Sequence, residues 1–416
     1  MGDQKMNLVD KSDDILFYKY HLKELYIVFS DGPYKIDINR VLGITHIENY
    51  LEDLYPVFKL DVMFEPSVYY KIIKEKDTLK VKVYLQKYYR TNDRRKKSIF
   101  SKCISNTFEL ILDDDDEYLT KDVHEKEFPQ GDKDELNAVT MKMEMFLFKK
   151  SVIKSNKILI NKIWKNMTPS GAVGYLMSKL GIKNLLMDKI DNKEIYEYFY
   201  MPPLTVNQEL RFIDSYYGFH KTGTVIFFGL DRSYFLRFST KTNAFEKDEI
   251  KDICFIVPKE GSSITDSYAQ LNKKSDKTKK YILVEPSLFT PRNPSRTSSI
   301  VQPEVVEFVS ADEGKVRQTG ENKTNKKIVV AKGVNPYYES MYKAMVDSEE
   351  SQVEITVKDV DYNLLEPNKH YSFLFEDTSL AKKYKGKYFL CMKQATFMKE
   401  GEDFTVGVSL TFRKVE

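Results

Sequence analysis

Histidine is the first residue type to search for chemistry, because imidazole is both a general base and a common metal ligand. The chain has five: His21, His46, His124, His220 and His370. No two lie three or four residues apart, and none falls in the His-Glu-x-x-His pattern that presents two ring nitrogens to zinc from one helix face. His220 follows Tyr217-Gly218-Phe219 and reads as a packing or turn residue without a catalytic partner. Cys103, Cys254 and Cys391 are widely spaced, form no Cys-x-x-Cys and have no local nucleophile signature. They read as three reduced thiols of a protein assembled in the cytoplasm. Gly-x-Ser-x-Gly and glycine-rich phosphate loops are absent from the sequence. Asp113 to Glu117 places five acids in a row. That run could attract calcium, but it lacks the glycine and the spaced ligands of an EF-hand and reads as a solvated loop. A glycosidase pair depends on separation in space, and no Glu or Asp stands in a recognisable setting. The expectation is a protein that is not an enzyme, with no catalytic residue, no cofactor and no metal site.

Bulk properties narrow the class further. The 416 residues carry a formal charge of only +3, with acids and bases mixed. This balance argues against sequence-specific nucleic-acid binding or an anionic membrane as the main partner. Two basic runs, Arg94–Lys97 and Lys273–Lys280, read as solvated loops that could touch DNA or another protein's rim. The N-terminal residues are polar, without the apolar core of a signal peptide. No run approaches the roughly 18 apolar residues of a membrane span. Aromatics reach 13%, mostly Tyr and Phe, which favours strands on half-buried sheets.

Elements follow from periodicity. Residues 15–112 alternate with period two, as in Phe58, Leu60, Val62 and Phe64, and predict antiparallel sheet. A further strand is expected at 140–149. Thr168-Pro169 is an N-cap followed by proline at the first helical position, and Gly181 stops the helix, giving 168–180. Met201-Pro202-Pro203 interrupts the chain, and Thr205 with Gln208 has capping-box spacing. Val206, Leu210, Ile213 and Tyr217 then make one apolar stripe, so a helix is expected at 206–217. Thr224–Phe228 and Tyr234–Phe238 form a hairpin about Gly229-Leu230-Asp231-Arg232. An isolated hairpin is marginal, and its sheet partners are expected within 353–412. Ile253–Val257 and Tyr281–Val284 read as strands, and the polar stretch Gly261–Lys327 around the second reads as an excursion of contact loops. Asn335-Pro336 starts a helix at 336–347. Val353–Val357, Tyr371–Phe375, Lys387–Cys391 and Phe404–Phe412 return to strands. Trp164 reads as an anchor for the helix start.

The run of Pro-Pro, capped helix, Tyr217-Gly218-Phe219 and a hairpin ending Tyr234-Phe235-Leu236 resembles the baseplate hub proteins of contractile bacteriophage tails. Phe146-Leu147-Phe148, Asn156-Lys157, Gly181-Ile182 and Met187 are similar to that family's approach to the Pro-Pro segment. Val360-Asp361, Leu364, Pro367-Asn368 and Gly386-Lys387-Tyr388 are similar to its second β domain. The likeness covers most of 15–240 and 350–416 and leaves out 260–325. It implies a β-dominated α+β fold, with two antiparallel β-barrel-like domains and a helix-containing middle region. The corresponding division is 1–112 for the first barrel, 113–217 for the middle, 218–240 for a hairpin of the second β domain, 241–350 for a loop-rich insertion with a helix, and 351–416 for the remainder. The resemblance also implies a homotrimeric structural virion protein at the tail tip. It would adapt a sixfold tail tube to a threefold central spike, with the tube protein, the spike protein and possibly the tape-measure protein as partners, and no membrane in the assembled tail. The alternatives are a tail-tube or distal-tail adaptor, or a tail-associated cell-wall hydrolase.

Overall fold

Alternating strands from both ends of the chain close into one ring. The computed structural model describes residues 18–89, 99–112, 140–182, 184–239, 249–259, 278–292, 305–312, 315–319, 326–331 and 334–415, apart from 339, 342, 343, 345–347, 349 and 350. Strands and helices are numbered here in chain order. The ring runs β1 (Tyr18–Phe29), β5 (Lys80–Tyr89), β6 (Ile99–Ile111), β7 (Met141–Phe148), β4 (Val57–Phe64), β3 (Val41–Asn49), β21 (Lys387–Glu400) and β22 (Asp403–Lys414). It returns to β1 where Tyr20 faces Phe404, and every pairing in it is antiparallel. Closure removes the unpaired edges that an open sheet of this length would present. Inward residues follow the predicted alternation: Phe58, Leu60, Val62 and Phe64 are fully buried in β4, while Lys59, Asp61 and Met63 between them are half-buried. β2 (Gly32–Lys35) is a short flap on β1.

β21 and β22 extend past the ring into a second layer. Its order is β14 (Lys279–Leu283), β13 (Asp252–Val257), β20 (His370–Phe375), β21, β22, β19 (Gln352–Lys358) and β15 (Phe289–Arg292). β14 and β15 lie at opposite ends of this run, yet only residues 284–288 connect them. Six such residue steps reach about 20 Å when extended. Seven flat strands would need roughly 29 Å at the usual spacing. The sheet must therefore curl. Phe289 on β15 confirms this by meeting Phe373 and Phe375 on β20 at 5.8 and 5.1 Å between ring centres. One closed barrel thus stands where two antiparallel barrels were expected. The second set of strands curls without closing among the described residues, and β13 is parallel to both its neighbours.

The middle of the chain holds α2 (Lys150–Lys157), α3 (Pro169–Leu180) and α4 (Val206–Tyr216), packed on one face of a two-stranded ribbon of β8 (Leu159–Met167) and β10 (Tyr196–Thr205). The caps are those the sequence predicts. Thr168 accepts from the Gly171 N–H, and Gly181 closes α3 in the left-handed region at φ 67°. Thr205 and Gln208 form both halves of the capping box on α4. Three helices were not anticipated: α1 (Pro66–Glu75), with proline at its start, α2, and α5 (Thr378–Tyr384), capped by Asp377. Of the helix expected at 336–347, Tyr338, Ser340, Met341 and Ala344 are helical, and the remaining interior positions lie outside the described residues.

Two expectations need correction. The hairpin of β11 (Thr224–Phe228) and β12 (Ser233–Arg237) does not pair with 353–412. Its third strand is β9 (Leu185–Met187), which runs parallel to β12. Bonds from the flanking residues hold that pairing, since Asp188 N–H donates to the Phe235 carbonyl and Ser233 N–H to that of Asn184. The stretch 261–327, read as an excursion around a strand at 281–284, contains β14, which meets that strand expectation, and also β15, and both belong to the curled sheet. It also holds strands of a separate sheet, β16 (Val305–Asp312) and β17 (Lys315–Thr319), which is completed by β18 (Lys326–Ala331). The acidic run 113–117, the basic run 94–97 and His124 lie outside the described residues.

Candidate functional site

A cluster of buried polar side chains sits at one mouth of the barrel, beneath the turn of the β11–β12 hairpin. His46 and Glu48 continue the inward row that begins with Ile44 on β3. Lys393 continues the inward row of Ala395 and Phe397 on β21. Glu48 and Lys393 are direct cross-strand partners, so sheet register brings them together. Their charged atoms lie 2.5 Å apart, and both side chains are buried. Lys393 Nζ also donates to the Leu365 carbonyl at 2.9 Å and lies 4.2 Å from the Tyr362 ring centre. Tyr50 donates its hydroxyl to Glu48 at 2.7 Å. Burial pushes the Glu48 carboxyl up, but the Lys393 ammonium, the His46 ring and the Tyr50 hydroxyl together leave it below its ordinary value. Burial takes His46 down to about 4, so the ring is neutral at pH 7 with its Nδ1 against the Tyr362 hydroxyl.

The hairpin turn closes over this pair. Leu230 is buried and joins the barrel core. Gly229 is required for the turn's tightness, because a Cβ there would lie 2.6 Å from the Arg232 carbonyl oxygen. Lys149, at the end of β7, reaches the carbonyls of Gly229 and Leu230, and burial lowers its ammonium below its ordinary value. Glu366 accepts from Arg232 at 3.1 Å and from the Tyr234 hydroxyl at 2.8 Å. Lys102 on β6 pairs with Asp231 at 2.8 Å. A cavity of about 50 Å³ remains among His46, Glu48, Asp231, Tyr362, Glu366 and Lys393. That is room for a water or two, not for a substrate of ordinary size.

Apolar packing explains why the hairpin is held so firmly. Its strands are buried on both faces. Val225, Phe227, Tyr234 and Leu236 belong to the barrel core, while Ile226, Phe228 and Phe235 belong to the helical core. Tyr50 meets Phe227 edge-on at 4.8 Å. The hairpin is thus a shared wall, and the turn with its charges is the rivet at one end.

The sequence directed attention elsewhere. His220 is fully buried, 3.6 Å from Asp191 and 6.1 Å from the Phe235 ring, and burial lowers it to about 4. Trp164 lies on β8 rather than at a helix start, edge-on to Tyr175 at 4.9 Å. All three cysteines are free and buried. Among the described residues no group of three or more His, Cys, Asp or Glu is arranged to hold a metal ion. Glu48 and Lys393 were missed, although charged residues in phase with apolar inward rows were visible as Ile44-x-His46-x-Glu48 and Lys393-x-Ala395-x-Phe397.

These features define a class: a barrel protein whose buried charges join two cores. The chain belongs to the family described as Bacteriophage PBS1 gene 109 protein, which it matches over residues 15–415. No curated protein matches it. Among solved structures it is similar to a tail protein from Neisseria meningitidis MC58, with 11% identity, 94% of this chain and 96% of that one covered, and a TM-score of 0.49. It is likewise similar to the 43 kDa tail protein of prophage MuSo2 from Shewanella oneidensis, with 10% identity, 93% and 96% covered, and a TM-score of 0.48. A third likeness is to the E. coli c3393 protein, described as a component of the type VI secretion system, with 8% identity, 91% and 74% covered, and a TM-score of 0.41.

Proposed function

We propose that the chain is a structural component of a bacteriophage tail, a hub at the tube tip that carries the central spike and assembles as a trimer. The observation that carries this reading is the shared β21–β22 hairpin, which builds a closed barrel at one end and a curled, barrel-like sheet at the other. A chain of a phage family with two such modules gives six per trimer, the arithmetic needed to match a sixfold tube to a threefold spike. The polar chemistry at the barrel mouth supports the same reading, because it is spent on rigidity between cores. Light scattering on the purified chain tests it. A mass of three chains supports a hub. A mass of six chains would favour a tube ring, and hydrolysis of host cell wall by the pure protein would favour an enzyme.

A further inference from the structure

The small cavity at the barrel mouth is lined by two buried polar atoms that the protein itself does not satisfy. His46 is 1% exposed, yet its Nε2 has no hydrogen-bond partner among the described residues. Asn363 lines the same cavity from the 3-10 turn Tyr362–Leu364, and its Oδ1 is likewise unpartnered there. The other end of that amide is fixed, because Nδ2 donates to the Cys103 carbonyl at 3.1 Å. Native interiors seldom leave such atoms unpaired, and each one calls for an explanation.

The proton on His46 can be placed. Its Nδ1 lies against the Tyr362 hydroxyl, and its Nε2 lies 4.0 Å from Glu48 Oε1. Glu48 is a carboxylate beside Lys393, so a lone pair on Nε2 would face negative charge, whereas an N–H there is attracted to it. The neutral ring therefore carries its proton on Nε2 and accepts the Tyr362 O–H at Nδ1. A separation of 4.0 Å is too long for a direct bond and suits a bridging molecule. Gly229 helps to leave that room, since a Cβ there would stand 3.7 Å from Glu48 Oε1.

Donor and acceptor needs decide what the molecule is. Nε2–H needs an acceptor, and Asn363 Oδ1 needs a donor. Water is both. A chloride ion would satisfy His46 but not Asn363, and it would meet Glu48, Asp231 and Glu366 around the cavity. A sodium ion would leave Nε2–H without an acceptor, and it would meet Lys393 and Arg232. About 50 Å³ admits one or two waters and no larger ligand. We infer that this cavity is a built water site, where one or two resident waters run from His46 Nε2–H to Asn363 Oδ1 with Glu48 Oε1 as a further acceptor. The water joins β3 of the barrel to the turn Tyr362–Leu364, and so completes the seal beneath the hairpin. This inference uses only the barrel mouth and does not depend on the hub reading.

The test is a high-resolution crystal structure of the full chain, with further crystals soaked in sodium bromide or rubidium chloride and measured for anomalous scattering. The expected result is a water within hydrogen-bond distance of His46 Nε2 and Asn363 Oδ1, without an anomalous signal. An empty cavity, or a bromide or rubidium peak in it, would overturn the inference. Nitrogen-15 NMR of the histidine-labelled chain checks the proton, with the His46 signals assigned by their loss in His46→Phe. The Nε2–H form is expected, and the Nδ1–H form would overturn the assignment on which the water rests. Asn363→Leu removes the water's acceptor and should shift the Nε2 resonance of His46. A folded Asn363→Leu chain in which that resonance stays put would contradict the bridge, and if the variant does not fold, the wild-type crystals and spectra decide.

Discussion

At the scale of single residues, the Glu48–Lys393 pair is costly to leave half made. A buried charge stripped of its partner typically costs about 3–5 kcal/mol, whereas replacing both partners by apolar groups is often neutral. Glu48→Gln should therefore destabilise the fold by roughly that amount, and adding Lys393→Met should recover much of it. A denaturant-based double-mutant cycle checks this. Glu209 on α4 makes the opposite prediction in pH. It is fully buried, neither carboxylate oxygen has a hydrogen-bond partner among the described residues, and burial raises it to about 8. A carboxyl with a raised folded value favours the folded state most at low pH. That contribution is complete below the unfolded value near 4.5 and is lost as pH rises through about 8. Stability should fall between about pH 5 and 8.5, and Glu209→Gln should flatten this part of the profile in thermal melts. His46 acts at the other end, since its lowered folded value loses stability as pH falls from about 6.5 through about 4. Such residues are hard to read in sequence because burial decides them. Glu209 lies in the apolar stripe of α4 only once the ribbon and α3 are known to cover it.

At the scale of elements, local chemistry was legible wherever it is self-contained. Caps are local, and both helix starts at Thr168 and Thr205 form as their residue types require. Thr205→Ala should cost about 1 kcal/mol, within the usual range for a lost N-cap. Gly229→Ala should cost more, because the new methyl meets a backbone carbonyl and not a side-chain tip. Urea unfolding of the two variants in parallel tests that order. Pairing between distant elements was less legible. The hairpin's strands are apolar on both faces, so periodicity marks them as buried without saying against what. Its partner strand β9 is only three residues long, a signal too short for periodicity to flag as a sheet edge. The Pro-Pro segment also misled: β10 runs through Pro202 and Pro203, which the two-stranded ribbon tolerates at a register shift between Met201 and Leu204.

At the scale of the whole molecule, strands from residues 18–148 and 387–414 share one barrel, so neither end of the chain can complete it alone. Alternation in the sequence predicted sheets at both ends. It could not show that they are the same sheet, because strand pairing across more than 300 positions leaves no local trace. The β21–β22 hairpin is the long element that makes the sharing possible, and the sequence suggested only its first five residues, Lys387–Cys391, as the incoming strand. Removal of residues 403–414 should therefore unfold the barrel as well as the curled sheet, with loss of the cooperative transition in calorimetry. A truncated chain that kept the barrel's melting transition would contradict the shared architecture. The central claim, that this chain is the hub of a phage tail, is tested most directly by cryo-electron microscopy of the tail of the virion that carries it. The account predicts three copies at the tube tip, each fitted by the closed barrel and the curled sheet together. Copies repeated in sixes along the tube, or a tail tip without this fold, would contradict it.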